Sequence, residues 1–194
     1  MFLSKYFSRL LFAATALTVA ATATSVMAEQ KLVPAQSEIA FVSKQMGVPV
    51  DGRFKKFDAQ ISFDPAKPAA STMAFTVDVG SATVGSPESD VELPKAVWFN
   101  VPKFPQATFQ SSAVKGLGAG KFEVTGKLSI KGNVRDVVVP VALTQSGAVT
   151  TATGAFVLKR LAFKIGENEW ADTSMVADDV QVKFKLALTG VGKL

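Results

Sequence analysis

The residues in this sequence that could carry out chemistry are few and mostly acidic. Glu167, Glu169, Asp172, Asp178 and Asp179 gather around Trp170, with Arg160 a short way upstream. Two carboxyls beside an aromatic platform are what glycoside hydrolysis needs, because one must protonate the leaving oxygen while the other attacks or activates water. The stretch Glu167-x-Glu169-Trp170-x-Asp172 offers half of such a site, but an acidic loop bounded by Gly166 reads more simply as solvated surface. The 194 residues include no Cys and no His. Thiol and imidazole nucleophiles, the Ser-His-Asp triad, disulfides and the usual zinc or haem ligand sets are therefore all excluded. Binding is the stronger expectation, with no catalytic residue and no cofactor.

Residues 1–28 read as a targeting segment. Lys5 and Arg9 precede an apolar run that closes on Val26-Met27-Ala28, the small-residue pattern of a cleavable signal peptide. Cleavage after Ala28 and a periplasmic destination are expected, with residues 29–194 as a single domain. Lys5 and Arg9 leave with the leader, so 19 basic residues face 16 acidic ones in the mature chain. That mild excess is scattered rather than clustered, which argues against a nucleic-acid partner. Twelve Phe and two Trp remain without a single Tyr, so the aromatic side chains carry no hydroxyl.

These side chains sit in segments that alternate. Val180, Val182, Phe184, Leu186 and Leu188 share one face of a period-two run, and Met73, Phe75, Val77 and Val79 do the same. About eight such segments are expected, near 37–44, 54–63, 71–79, 107–114, 120–130, 136–144, 151–161 and 179–189. Turn signals such as Lys131-Gly132-Asn133 and Gln145-Ser146-Gly147 join neighbours as antiparallel hairpins. Ser86-Pro87-Glu88 predicts a short helix. The connection over 80–106 is too apolar for a free loop, and it is expected to cap one end with Trp98 or Phe99.

The sequence thus predicts an all-β fold, an eight-stranded antiparallel barrel with a short helix and a long capping connection. Eight strands can enclose one small ligand or be filled by side chains. Ile39, Phe41, Phe57, Ile61, Phe63, Phe75, Phe109, Phe156 and Phe184 are expected to point inward, several of them lining a tunnel.

The order of features from Leu32 to Leu188 resembles the YceI-like family of exported, lipocalin-like, polyisoprenoid-binding proteins. The matching pieces are Ser37-x-Ile39-x-Phe41, Gly52-x-Phe54, Phe63-Asp64, Ser81 and Phe104-Pro105-x-x-x-Phe109. Further on come Val124-x-Gly126-x-Leu128-x-Ile130-x-Gly132 and Arg160-x-x-Phe163-x-Ile165-Gly166. The resemblance implies a lipocalin-like barrel holding a polyisoprenoid or other long-chain amphiphilic lipid, without catalysis. It leaves open transient membrane contact, a homodimer, and a filled barrel that serves as a stress-response or interaction domain.

One departure concerns Arg160. The family often carries an acid two residues later, where this sequence has Ala162. Arg160 continues the inward parity of Phe156 and Leu158, while Phe163 and Ile165 switch parity and imply a bulge near residues 161 and 162. A buried guanidinium must be paired. Its partner is expected to be a distant acid, Asp172, Asp178 or Glu167, or the polar end of a ligand.

Overall fold

The computed structural model describes residues 29–194, so the signal segment and its cleavage after Ala28 lie outside the described residues. Among the described residues, alternation becomes strand. β1 (Lys31–Leu32), β2 (Glu38–Gln45), β3 (Val48–Phe54), β4 (Phe57–Ser62), β5 (Thr72–Asp78) and β6 (Ala82–Thr83) precede the helix α1 (Pro87–Asp90). β7 (Gln106–Gly118), β8 (Lys121–Ile130), β9 (Asn133–Ser146), β10 (Val149–Lys159) and β11 (Asp179–Thr189) follow it. All belong to one antiparallel sheet in the order β4-β5-β7-β8-β9-β10-β11-β2-β3-β6, with β1 paired to β11.

The path begins at β4 and reaches β3 near its other end, although these two are consecutive in the chain. Only Lys55 and Lys56 separate them. The sheet therefore curls round on itself, and a bent run of chain spans its seam. The single strand expected over 54–63 is corrected here. Ser81 Oγ accepts from the backbone N–H of Lys55 at 3.1 Å and of Lys56 at 3.0 Å, so both donors leave the ladder and the strand bends. Beyond the bend, β4 pairs with β5, whereas β3 pairs back to β2 through the tight turn at Met46-Gly47, both with positive φ. The helix starts as its sequence predicts, with Ser86 Oγ accepting from Ser89 N–H and Pro87 in the first turn.

Another expectation changes at the end of β10. No bulge forms there, because the strand stops at Lys159 and Arg160–Phe163 make a 3₁₀ turn that Lys164 closes in the left-handed region. Asp178 holds that exit by accepting from Arg160 N–H through its carbonyl and from Leu161 N–H through its carboxylate, each at 2.9 Å. The parity switch marks departure from the sheet.

Buried side chains form two clusters. Val79, Phe99, Leu128, Leu158, Phe163 and Ile165 close one end; Phe63, Val114, Phe122, Val124, Leu188 and Val191 close the other. Between them the inward-facing Phe41, Phe75, Phe109, Phe156 and Phe184 are only half-buried. They face a lumen, and Phe109 and Phe156 also pack against the cluster residues.

Candidate ligand-binding cavity

The lumen is a cavity of about 380 Å³ with mostly apolar walls, within the range that holds a small organic ligand. Each wall follows from strand parity. Ile39 and Phe41 come from β2, Phe75 from β5 and Phe109 from β7. Ile61 and the adjoining Phe63 complete the side at β4, and Phe156 and Phe184 enter from β10 and β11. Phe63 meets Phe122 edge-on at 5.1 Å between ring centres, and Phe75 opposes Phe109 directly across the β5–β7 ladder. Phe57 is the exception among the expected wall residues. It shares the parity of Ile61 and is half-buried, but it stands outside the cavity wall as the first residue beyond the bend at Lys55-Lys56.

The long connection after β6 reaches the cavity as expected. Leu93, Trp98 and Phe99 all line it, and Phe99 packs edge-on against Phe54. A second connection also covers the lumen. Trp170, read from sequence as a sugar platform, also lines the lumen and packs on Trp98 with ring centres 5.5 Å apart. The two connections are bound together, since the N–H groups of Gly166 and Glu167 both donate to Val97 O. Trp98 Nε1 is buried there without a hydrogen-bond acceptor.

Arg160 organises this end. It is 1% exposed, and its guanidinium donates five hydrogen bonds, all to backbone carbonyls. Nε bonds to Ala177 O at 3.1 Å. Nη1 reaches Ile165 O at 2.8 Å and Gly166 O at 3.0 Å, while Nη2 reaches Trp170 O and Val176 O at 2.6 Å each. The expected acid partner is corrected: neither Asp172 nor Glu167 meets the guanidinium, and Asp178 acts on it only through space. Burial lowers the pKa of Arg160 and the nearby Asp178 charge opposes that shift, but an arginine stays charged in either case. Every guanidinium hydrogen is committed to the connection over residues 164–178. Gly166 explains part of the Arg160-to-Gly166 motif, because a Cβ there would lie 2.4 Å from Nη1.

The acidic candidates are dispersed. Glu167 accepts from the buried Lys131 Nζ at 2.8 Å, Asp172 binds Ser174, and Asp179 pairs with Lys159 on the surface. None of these five carboxylates lines the cavity. The hydrogen bond from Lys131 holds Glu167 below the usual carboxyl range, and Ser174 does the same for Asp172, the opposite of what a general acid requires. Lys131 is a second residue, after Trp170, whose place the sequence does not show. It occupies the tight turn after β8 with positive φ, and nothing in the alternation showed that its side chain folds inward to Lys164 O and Glu167.

A curled antiparallel sheet around an aromatic, largely apolar cavity, closed at one end by two crossed connections, is the plan of a lipocalin-like cavity protein. The YceI-like domain model matches residues 30–188. The chain belongs to that family. It is similar to BcnA of Burkholderia cenocepacia, at 47% identity and a TM-score of 0.78 over 80% of this chain and 98% of that one. A polyisoprenoid-binding domain of Saccharophagus degradans has the same fold at 16% identity and a TM-score of 0.67, over 83% of this chain and 98% of that one. A UPF0312 protein of Azotobacter vinelandii is 40% identical over 88 residues, covering 45% of this chain and 46% of the relative. Such matches span about half the length of the curated relatives.

Proposed function

We propose that this protein is an exported carrier that holds a long isoprenoid, or an amphiphile with a similar tail, in its lumen. The observation that carries the reading is the cavity itself, a Phe-rich space of about 380 Å³ walled by nine of the strands and covered by two connections. An isoprenoid tail gains about 25 cal/mol for each Å² of apolar surface withdrawn from water. Burying about 300 Å² therefore contributes about 7.5 kcal/mol before the cost of association. The polyisoprenoid-binding domain of Saccharophagus degradans supports the choice of tail, and membership of the YceI-like family supports a binding role over catalysis.

The leader pattern of residues 1–28 supports a periplasmic location. Lipid exchange requires an approach to a membrane, and the exposed Met46, Val48 and Met175 flank the cavity-lining Gln45, Val50 and Val176. That rim is where the lumen would meet a bilayer. The test is organic extraction of the protein purified from its own host, followed by mass spectrometry. One long-chain lipid per protein is the expected result; an extract without lipid, combined with no uptake of added isoprenoid by the purified protein, refutes the carrier.

A further inference from the structure

At three inward-facing positions on the barrel wall a glycine lies beneath a phenyl ring. Gly52 on β3 stands directly opposite Phe41, and Gly154 on β10 directly opposite Phe184. Gly126 on β8 lies diagonal to Phe109, two residues from that ring's direct partner Leu128. Directly paired residues share a face of the sheet, as do residues two apart on one strand, so all three glycines belong to the lumen face. In each case the phenyl ring occupies the space of the missing side chain. A Cβ at Gly52 would lie 2.2 Å from Phe41 Cζ, one at Gly154 2.3 Å from Phe184 Cζ, and one at Gly126 2.4 Å from Phe109 Cζ.

Glycine weakens a strand, because it adds backbone entropy and gives its neighbours nothing to pack against. Three on one face, each beneath a ring, need a reason. A phenyl ring inside a barrel can stand toward the axis or lie along the wall, and it lies along the wall only where the neighbouring strand has no side chain. The ring then covers the bare backbone and the lumen is wider by the space it vacates. The pairs β2–β3, β7–β8 and β10–β11 are spread around the sheet, so the widening acts from three sides.

We infer that the Phe-over-Gly pairs set the bore of the lumen, and that this bore selects methyl-branched over straight hydrocarbon chains, with Gly52 as a specificity-determining residue. The inference rests on the carrier reading above. A straight chain in a lumen widened in this way leaves gaps along the wall, and a gap of even a fraction of an ångström forfeits much of the dispersion attraction. Methyl branches fill those gaps. Gly52 is the position to change because the three atoms its Cβ would meet first all belong to the far end of the Phe41 ring. At Gly126 and Gly154 the added atom would also strike the carbonyls of Gln110 at 2.5 Å and Pro140 at 2.4 Å, and the sheet itself would have to move.

The experiment compares phytanol with cetyl alcohol, which share a main-chain length and a hydroxyl and differ only in phytanol's methyl branches. Affinities are measured on purified, delipidated protein by displacement of a fluorescent lipid probe. The native protein is expected to prefer phytanol. Gly52→Ala, which drives the Phe41 ring toward the axis, should weaken phytanol about tenfold and cetyl alcohol by less than about threefold, the scale of one methylene in an apolar pocket. Equal losses for both alcohols, or no loss for either, overturn the bore inference and leave the carrier intact. A native protein that binds neither alcohol overturns both. Phe41→Leu keeps the test decisive if Gly52→Ala does not fold. It removes ring from the wall and must move the ratio the opposite way, further toward phytanol; an unchanged ratio overturns the inference.

Discussion

Replacing Arg160 with Met keeps the length of the side chain and removes its charge and all five donors. The carbonyls of Ile165, Gly166, Trp170, Val176 and Ala177 then lose a partner they meet at 2.6–3.1 Å. Hydrogen bonds to a charged group contribute about 1.5–3 kcal/mol each, so a simple sum would consume the whole margin of about 5–15 kcal/mol that holds a domain folded. Water relieves part of that loss, since the half-exposed Trp170 and Ala177 stand at the edge of the cluster. A net destabilisation of about 3–5 kcal/mol is expected, as when a buried charge network is broken. At roughly 2–4 °C per kcal/mol for a domain of this size, the melting temperature should fall by about 6–20 °C. Guanidinium unfolding measures the change directly, with Lys159→Met as control. Lys159 is exposed and its side chain pairs with the surface residue Asp179, so its loss should cost less than about 1 kcal/mol. Hydrogen exchange should show the amides of residues 164–178 opening first in Arg160→Met. If that variant matches the control within about 1 kcal/mol but no longer retains lipid, Arg160 has no structural role and the guanidinium serves the ligand.

Three other perturbations separate parts of the reading. Phe75→Asp puts a carboxylate on the cavity wall and should abolish lipid retention, whereas Thr76→Asp, one residue along and of opposite parity, should spare it; equal effects in a lipid-extraction assay would remove the distinction between the faces. With Trp98 and Trp170 both lining the lumen, tryptophan emission should shift when the protein is delipidated and return on reloading, and an unchanged spectrum would reduce the two connections to a plug. Glu167→Gln should cost less than about 1 kcal/mol near neutral pH, because the carboxylate is partly exposed. The folded-state pKa of Glu167 is lowered by Lys131, so the native carboxylate stabilises the fold above the ordinary glutamate range. That advantage is lost as pH falls through the lowered value, and a difference between the two proteins that persisted at lower pH would contradict the pairing.

The five carbonyl bonds of Arg160 also explain how its charge is accommodated without an acid partner at the barrel end. A carbonyl carries no net charge and the connection offers five of them in a ring, so the guanidinium is solvated by backbone in place of water. Ala162 is then no defect. A carboxylate two residues after the arginine is unnecessary where the backbone already meets every donor.

Much of this molecule could be read along the chain. Side-chain alternation determined the strands, because a half-buried strand must repeat every two residues; the same parity marked Phe41, Phe75, Phe109, Phe156 and Phe184 as inward. Ser86-Pro87 marked the helix start, since a cap and a preset φ are local properties. What only the tertiary structure decided depended on contacts between distant residues. Ser81 bends the chain at Lys55-Lys56 from 25 residues away and so removes Phe57 from the wall. The carbonyls around Arg160 belong to a connection whose path no periodicity describes. Gly52, Gly126 and Gly154 look in sequence like ordinary strand interruptions, and only the cross-strand register shows a ring over each. Local backbone and side-chain preferences are written residue by residue, whereas a bend, a buried charge's partners and the width of a lumen arise only when separate strands are brought side by side.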